Sequence, residues 1–350
     1  MKVLILSDGK AGHVSQAKAV VAALEKIRPA TAEVQECRLR AGFLQRPLRF
    51  LLNLTGGRLP HWLYCWMHGG GPWPKERPDL IVSAGGSTCA ANAWLGAGLR
   101  SPNIFCGSIR SLRPRLFAGI VTAFDPPEPH PRYIRCVTPV AIDPAALAEK
   151  ATAWRERTSC QDKCWSFLAG GPGAGYVYSR QDWQRAGTAL AKISAQHGVR
   201  WLVSTSRRTG AEGEAALFES LDPALVAGST RAVEGKGDIS YHEILGAAER
   251  HFVTEDSHMM ITESIASARP VHALQPEEFQ TDEGNLHFLR IYEDNGWIVR
   301  QRISGLSESG LTELPPPPKC PPAILDDLAK GLAAWLESLP AQEAAGLRTK

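Results

Sequence analysis

No stretch of this chain is apolar for long enough to cross a bilayer. A spanning helix needs about 20 consecutive apolar residues, and no run here approaches that length. The N-terminal segment MKVLILSDGK has only a short apolar run before Ser7-Asp8-Gly9. That is too little for a signal peptide and reads better as a first strand. A large excess of one charge is also missing. The formal net charge is +3, from 39 Lys and Arg against 36 Asp and Glu, too mild to argue for a nucleic-acid partner. Metal-ligand spacing is scarce. Of the eight cysteines, Cys37, Cys65, Cys89, Cys106, Cys136, Cys160, Cys164 and Cys320, only Cys160 and Cys164 are close together. No second Cys or His pair follows at finger-like distance, so no metal is expected. The Gly-Lys-Ser/Thr order of a P-loop, the GxGxxG fingerprint and any repeat of solenoid period are absent as well. These absences leave a cytoplasmic protein as the default expectation.

What remains is ordinary globular material. The chain has 350 residues, 44% of them hydrophobic and 21% charged, enough for about two domains with a core each. Short β-type runs alternate with helical stretches almost throughout. Strands are expected at Lys2–Ser7, Ala32–Cys37, Asp79–Ala84, Asn103–Cys106, Gly119–Thr122 and Ile134–Val137, then at Trp165–Ala169, Arg200–Ser204, Thr230–Val233, Arg250–Thr254 and Val271–Leu274. Between them fall helix candidates His13–Arg28, Ser87–Leu99, Pro144–Arg157, Arg180–Gln196, Glu212–Leu221, Tyr241–Ala248 and Ser257–Ala268. Such alternation specifies parallel sheets with helices on both faces. The fold class expected is α/β, two Rossmann-like doubly wound domains facing across a cleft. Their expected extents are residues 1–157 and 164–320, with Thr158–Lys163 as a hinge. Leu314–Pro322 is proline-rich and must run extended. The amphipathic segment Ala323–Leu339, within residues 321–350, is expected to pack back on the first domain.

The richest segment is His251–Leu274. It reads as strand, sharp turn, short helix and second strand. Asp256 and Ser257 are good helix N-caps, Met259 falls in the first turn, and Arg269-Pro270 stops the helix. A helix start outside the carboxyl end of a parallel strand suits a phosphate. Glu263, further along that helix, can take two vicinal ribose hydroxyls. Together they describe a nucleoside diphosphate, although an ordinary βαβ unit with a capped helix and a solvated Glu fits the same pattern. Four more loops follow strands. Asp8-Gly9-Lys10-Ala11-Gly12-His13 places a carboxylate and an imidazole, a natural general base, beside glycines that admit a ligand; the alternative is a capped turn and a helix start. Gly85-Gly86-Ser87 makes either a nest for a sugar hydroxyl or a tight turn. The glycine-rich Gly170-Gly171-Pro172-Gly173 run offers backbone N–H groups to a phosphate. Ser206-Arg207-Arg208 suits a diphosphate leaving group, since guanidinium is a bidentate, permanently charged clamp. Asn285 and His287 lie in a segment that reads either as sugar or base contacts or, better, as a surface helix. Finally, Phe43 to Met67 interleaves aromatic and aliphatic residues with arginines, a pattern that fits an anionic membrane face as well as a core helix with snorkelling arginines.

Assembled, these features resemble a known family. Asp8-Gly-Lys-Ala-Gly12 with Gln16, Ser83-Ala-Gly85, Ser204-Thr-Ser-Arg-Arg-Thr209 and Thr254-Glu-Asp-Ser257 with Met260, Glu263 and Pro270 are similar to the mitochondrial-fission "elongated mitochondria"-like family of glycosyltransferases of lipooligosaccharide outer-core type. A more distant similarity is to the enzyme that adds N-acetylglucosamine to the lipid-linked peptidoglycan precursor. The resemblance implies a GT-B fold with the nucleotide-sugar held mainly by the second domain. It implies donor contacts from Gly170, Gly171 and Glu263, and a first loop at Gly12-His13. The expected activity is metal-independent and cofactor-free transfer of a sugar from a nucleotide-sugar to a hydroxyl of a cell-envelope glycan or lipid-linked saccharide. His13, or else Asp8, is the expected base. Ser206, Arg207, Arg208, Asp256, Ser257 and Met259 complete the donor side, and Gly12, Gly85, Gly86 and Ser87 the acceptor or sugar side. A nucleotide-sugar epimerase on the same fold and a non-catalytic fission-type scaffold are the rivals. The expected location is cytoplasmic, with peripheral contact to the inner membrane through Phe43 to Met67.

Overall fold

The strand Leu80–Ala84 is buried along its whole length, as a parallel strand covered by helices on both faces must be. It sits inside a six-stranded parallel sheet in the order Thr31–Glu36, Lys2–Ser7, Leu80–Ala84, Asn103–Cys106, Gly119–Thr122, Tyr133–Arg135. The computed structural model describes residues 1–69, 73–124, 130–314, 316 and 323–339. One face of this sheet is covered by helices Ala11–Glu25 and Ile324–Ser338, whose Val20, Leu24, Leu328 and Leu332 share a core with Val3, Ile5 and Val82. On the other face, helices Gln45–Thr55, His61–Met67 and Cys89–Leu99 bury Leu48, Leu52, Tyr64 and Trp94 with Leu4 and Leu6. The C-terminal helix is fixed here by Trp335, whose Nε1 donates to the Ala118 carbonyl at 2.7 Å. The proline-rich run before it lies outside the described residues except for Leu314 and Pro316.

A second unit, Ile142–Pro322, separates from the first, Met1–Ala141 with Ala323–Lys350. Its seven-stranded sheet runs Lys236–Gly237, Val226–Arg231, Arg200–Thr205, Cys164–Ala169, His251–Thr254, Val271–Gln275, Ile298–Arg302. All neighbours are parallel except the short edge strand Lys236–Gly237. Trp165, Trp201 and Phe252 from three adjacent strands form one aromatic cluster, with ring centroids 5.2–6.2 Å apart. Offset and edge-on contacts of this kind add to simple burial. The helix Arg180–His197 opens with a capping box of Ser179 and Asp182 and closes at Gly198 in the left-handed region.

Three expectations need correction. Helix Pro144–Thr158 belongs to the second unit, not the first, because Arg155 donates to the Ala247 carbonyl at 3.1 Å and the helix packs along Tyr241–Ala247. The strand expected at Thr230–Val233 is Val226–Arg231, and that at Ile134–Val137 is Tyr133–Arg135. The segment of Asn285 and His287 is the helix Glu283–Asp294, as its surface-helix reading has it, whereas the strand Ile298–Arg302 and the helix Ile303–Ser309 carry no clear pattern in the sequence.

Candidate functional site

In the second unit the carboxyl ends of two neighbouring strands meet. Cys164–Ala169 runs into Gly170-Gly171, and His251–Thr254 into Glu255-Asp256-Ser257. The Gly170 amide donates to Thr254 Oγ1 at 2.7 Å and the Gly171 amide to Asp256 Oδ2 at 3.1 Å. A side chain at Gly170 would put its Cβ 2.2 Å from Asp256 Oδ2, and one at Gly171, where φ is +151°, would lie 2.2 Å from the Arg208 carbonyl oxygen. Only glycine allows this approach. The turn after Arg200–Thr205 closes the third side. Ser206 Oγ and Thr209 Oγ1 each donate to the Gly170 carbonyl at 2.6 Å, and Arg208 Nη2 pairs with Asp256 Oδ2 at 2.7 Å. Arg207 is exposed at the head of the same turn.

Neither expected cap acts as one. Helix His258–Ala266 has Ser257 at its N-cap position, but no side-chain bond caps it, and the Asp256 carboxylate is turned toward Gly171 and Arg208 instead. Met259, in the first turn of that helix, is half-buried. Asp256 is buried, and burial raises its pKa even though Arg208 and the Gly171 amide pull the other way. Its Oδ1 and His258 Nε2 are buried without a well-aligned hydrogen bond, but the Thr254 and Tyr178 hydroxyls also act to lower the Asp256 pKa, and Asn285 acts to raise that of His258.

Two further carboxylates belong to the same strand-to-helix segment. Glu255 is fully buried and held by Arg300 through Nε at 2.7 Å and Nη2 at 3.1 Å, by the Tyr176 hydroxyl at 3.0 Å and by Gln275 Nε2 at 3.2 Å. This network escaped the sequence reading because Arg300 lies on the strand that was not recognised. Glu263, on helix His258–Ala266, is different. It has no strong cation partner, and burial pushes its pKa up to about 7, offset in part by the nearby Tyr241 hydroxyl. Asn285, on helix Glu283–Asp294, is buried and its Nδ2 donates to the Tyr176 hydroxyl at 3.4 Å, whereas His287 is exposed.

The first unit holds a separate constellation. Asp8, at the end of Lys2–Ser7, sits between His13 and Ser87: His13 Nδ1 is 2.9 Å from Asp8 Oδ2, and Ser87 Oγ donates to the same oxygen. Burial opposes ionisation of Asp8, but the bonds from Ser87, His13 and the Lys10 amide outweigh it and hold the carboxyl below its ordinary range. An ionised carboxylate only accepts, so Nδ1 is the donor in this pair. Gly85, at φ +87°, makes room for the ring: a Cβ there would lie 2.1 Å from His13 Nδ1. Gly86 offers its carbonyl to Arg49 Nη2 at 3.4 Å. Gly12 is not in a loop; helix Ala11–Glu25 begins one residue earlier and carries Gly12 and His13 in its first turn.

The structure thus brings Gly170, Gly171, Ser206, Arg208 and Asp256 together in one unit, and Asp8, His13, Gly85 and Ser87 together in the other. Cys160 and Cys164 have their sulfurs 3.9 Å apart. Among the described residues no three His, Cys, Asp or Glu side chains group as metal ligands, and no helix is long and apolar enough to cross a membrane.

Comparison with known proteins agrees with this architecture. A model of the family described as mitochondrial fission ELM1 matches residues 11–300. No curated protein sequence matches the chain significantly. Among solved structures, a UDP-GlcNAc 2-epimerase from Methanocaldococcus jannaschii superposes with a TM-score of 0.54 at 14% identity, covering 95% of this chain and 99% of that one. The same organism's UDP-GlcNAc 2-epimerase in complex with UDP-GlcNAc and UDP gives a TM-score of 0.53 at 12% identity, with the same coverage of 95% and 99%. An Acinetobacter baumannii MurG gives 0.45 at 12% identity, covering 99% of this chain and 94% of that one. At such identities the likeness is one of fold, and the fold is of GT-B type, built from two Rossmann-like domains.

Proposed function

The chain belongs to the mitochondrial fission ELM1 family, and on that premise we propose that it is a nucleotide-sugar-dependent glycosyltransferase whose donor pocket lies in the second unit. The observation that carries this reading is the cradle at the carboxyl ends of Cys164–Ala169 and His251–Thr254. A glycine turn, the Arg208–Asp256 pair and the start of helix His258–Ala266 meet there, a combination that suits a diphosphate once the ligand displaces Asp256 from Arg208 and the Gly171 amide. In this reading Arg208, now neutralised by Asp256, turns to the phosphates when they arrive. The first-turn amides of His258–Ala266 and the Gly170-Gly171 loop then stabilise the charge that grows on the leaving group. Ser206, Arg207, Ser257 and Met259 border the same site. Glu263 takes the ribose hydroxyls as its carboxylate ionises.

Acceptor chemistry is assigned to the first unit. His13, oriented by Asp8 through Nδ1, offers Nε2 as the base for an acceptor hydroxyl, with Gly12, Gly85, Gly86 and Ser87 around it. The acceptor proposed is a cell-envelope glycan or lipid-linked saccharide, reached by a cytoplasmic enzyme that needs neither metal nor cofactor. Incubation with a panel of nucleotide-sugars, with and without crude envelope glycolipid, tests the reaction. Release of nucleoside diphosphate that requires the acceptor and is lost in His13→Ala supports transfer. Conversion of the sugar without acceptor identifies an epimerase, a reaction performed by proteins of this fold. Neither product from any donor leaves a non-catalytic scaffold.

A further inference from the structure

We propose that the first unit docks on an anionic lipid surface through its consecutive helices Gln45–Thr55 and His61–Met67. Both pack their inner faces on the unit's core: Leu48 and Leu52 from the first, Tyr64 and Met67 from the second. Their outer faces carry apolar residues too: Phe50 is 68% exposed, Leu54 72%, Trp62 63% and Trp66 61%, and Phe43, in the turn before the first helix, 80%. Every large aromatic that stands exposed among the described residues is in this stretch. Phe50 and Leu54 are four apart, as are Trp62 and Trp66, so each pair shares one helix face. A surface helix of a soluble protein normally turns polar residues outward, and an exposed apolar cluster marks something that covers it.

Charge identifies the cover. Between Glu36 and Glu76 the sequence contains no Asp or Glu, but it contains Arg38, Arg40, Arg46, Arg49, Arg58 and Lys75. Arg46 shares the outward face of Phe50 and Leu54 by the same spacing of four, and Arg58 is exposed in the turn between the helices. Tryptophan and phenylalanine interspersed with arginine, in a stretch of sequence without acids, match the interface of a bilayer carrying anionic headgroups. The same helix reaches the Asp8–His13–Ser87 constellation, since Arg49 donates to the Gly86 carbonyl beside Ser87. A lipid-linked molecule lying in the surface is thereby brought to that end of the sheet.

Vesicle sedimentation tests this without nucleotide or acceptor, so its failure leaves the donor reading standing, and the reverse holds too. The full chain is expected to sediment with phosphatidylglycerol-containing vesicles and not with pure phosphatidylcholine ones, and high salt is expected to release it. Phe50→Ser with Trp62→Ser, and separately Arg46→Gln with Arg58→Gln, are each expected to weaken binding about tenfold or more while the melting temperature stays unchanged, because these side chains are exposed. Absence of binding to anionic vesicles at low salt overturns the inference, as does binding that both variants retain. A concentration-dependent dimer that Phe50→Ser with Trp62→Ser dissolves, in a chain that ignores vesicles, overturns it in favour of a second copy as the cover.

Discussion

Glu263 and Asp256 are carboxylates a helical turn or two apart, yet their surroundings give them different tasks. Glu263 has its pKa pushed up to about 7 by burial, so the folded state holds a proton there that the unfolded chain releases near the ordinary carboxylate value. Its sign follows from linkage: the folded protein binds more protons between those two values, so this group favours folding at low pH and the benefit is lost as pH rises through about 7. Glu263→Gln is therefore expected to match the wild type in melting temperature near pH 5 and to exceed it near pH 8, by roughly 1–3 kcal/mol; equal curves at both pH values would show that the carboxyl titrates normally. Asp256 depends on Arg208, 2.7 Å away. Arg208→Ala leaves a buried, uncompensated charge and should cost about 1–3 kcal/mol, discounted for the partial exposure of the arginine. Adding Asp256→Asn should restore most of that stability in chemical denaturation. If the double variant is as unstable as the single one, the pair is not the source of the loss.

At the scale of elements, strand-to-helix turns do most of the positioning, and they divide what could be read in advance from what could not. The parallel strands were legible because Lys2–Ser7, Leu80–Ala84, Cys164–Ala169 and His251–Thr254 are short, mostly apolar runs, buried almost throughout and followed by Asp, Gly or an acidic turn. Ile298–Arg302 was not, because IVRQR is an edge strand that pairs on one side only and carries polar residues for the exposed one. The glycine turns were legible as turns, but their purpose was not. Only the fold shows that Gly85 yields its Cβ space to the His13 ring and Gly170 to Asp256. Nor does sequence distinguish a cap from a ligand site: Asp256 and Ser257 have the residue types of caps, yet the carboxylate is engaged by a neighbouring loop. The Gly85 turn gives a direct test. Gly85→Ala is strained at φ +87° and displaces His13, so turnover should fall at least about tenfold while donor binding, measured by calorimetry, stays unchanged. Loss of donor binding in that variant would contradict the separation of roles.

For the whole molecule, two sheets of Rossmann type each present loops at the carboxyl ends of their strands, the first with an imidazole held by a carboxylate and the second with a glycine turn against the Arg208–Asp256 pair. Buried histidines in the second unit add a pH limit. His251, between Ser166 Oγ at 2.7 Å and Ser267 Oγ at 2.9 Å, has its pKa lowered to about 3 by burial, and His272, beside Gln301, to about 4. The unfolded chain protonates both near 6.5, so their contribution is present above that pH and is lost as pH falls toward 4. Unfolding free energy over this range should decline with a slope of about two protons, and His251→Asn should reduce the slope by about one. A slope unaffected by His251→Asn would place the acid sensitivity elsewhere.

The central claim is that the second unit holds a nucleoside diphosphate, and thermal denaturation with added nucleotide tests it most directly. A ligand bound only by the folded form must raise the melting temperature. The wild type is expected to be stabilised by one nucleoside diphosphate or its sugar conjugate out of a UDP, GDP and ADP series, and Glu263→Ala and Arg208→Ala are expected to lose that response while His13→Ala keeps it. No stabilisation by any nucleotide, or one that survives both second-unit substitutions, would contradict it.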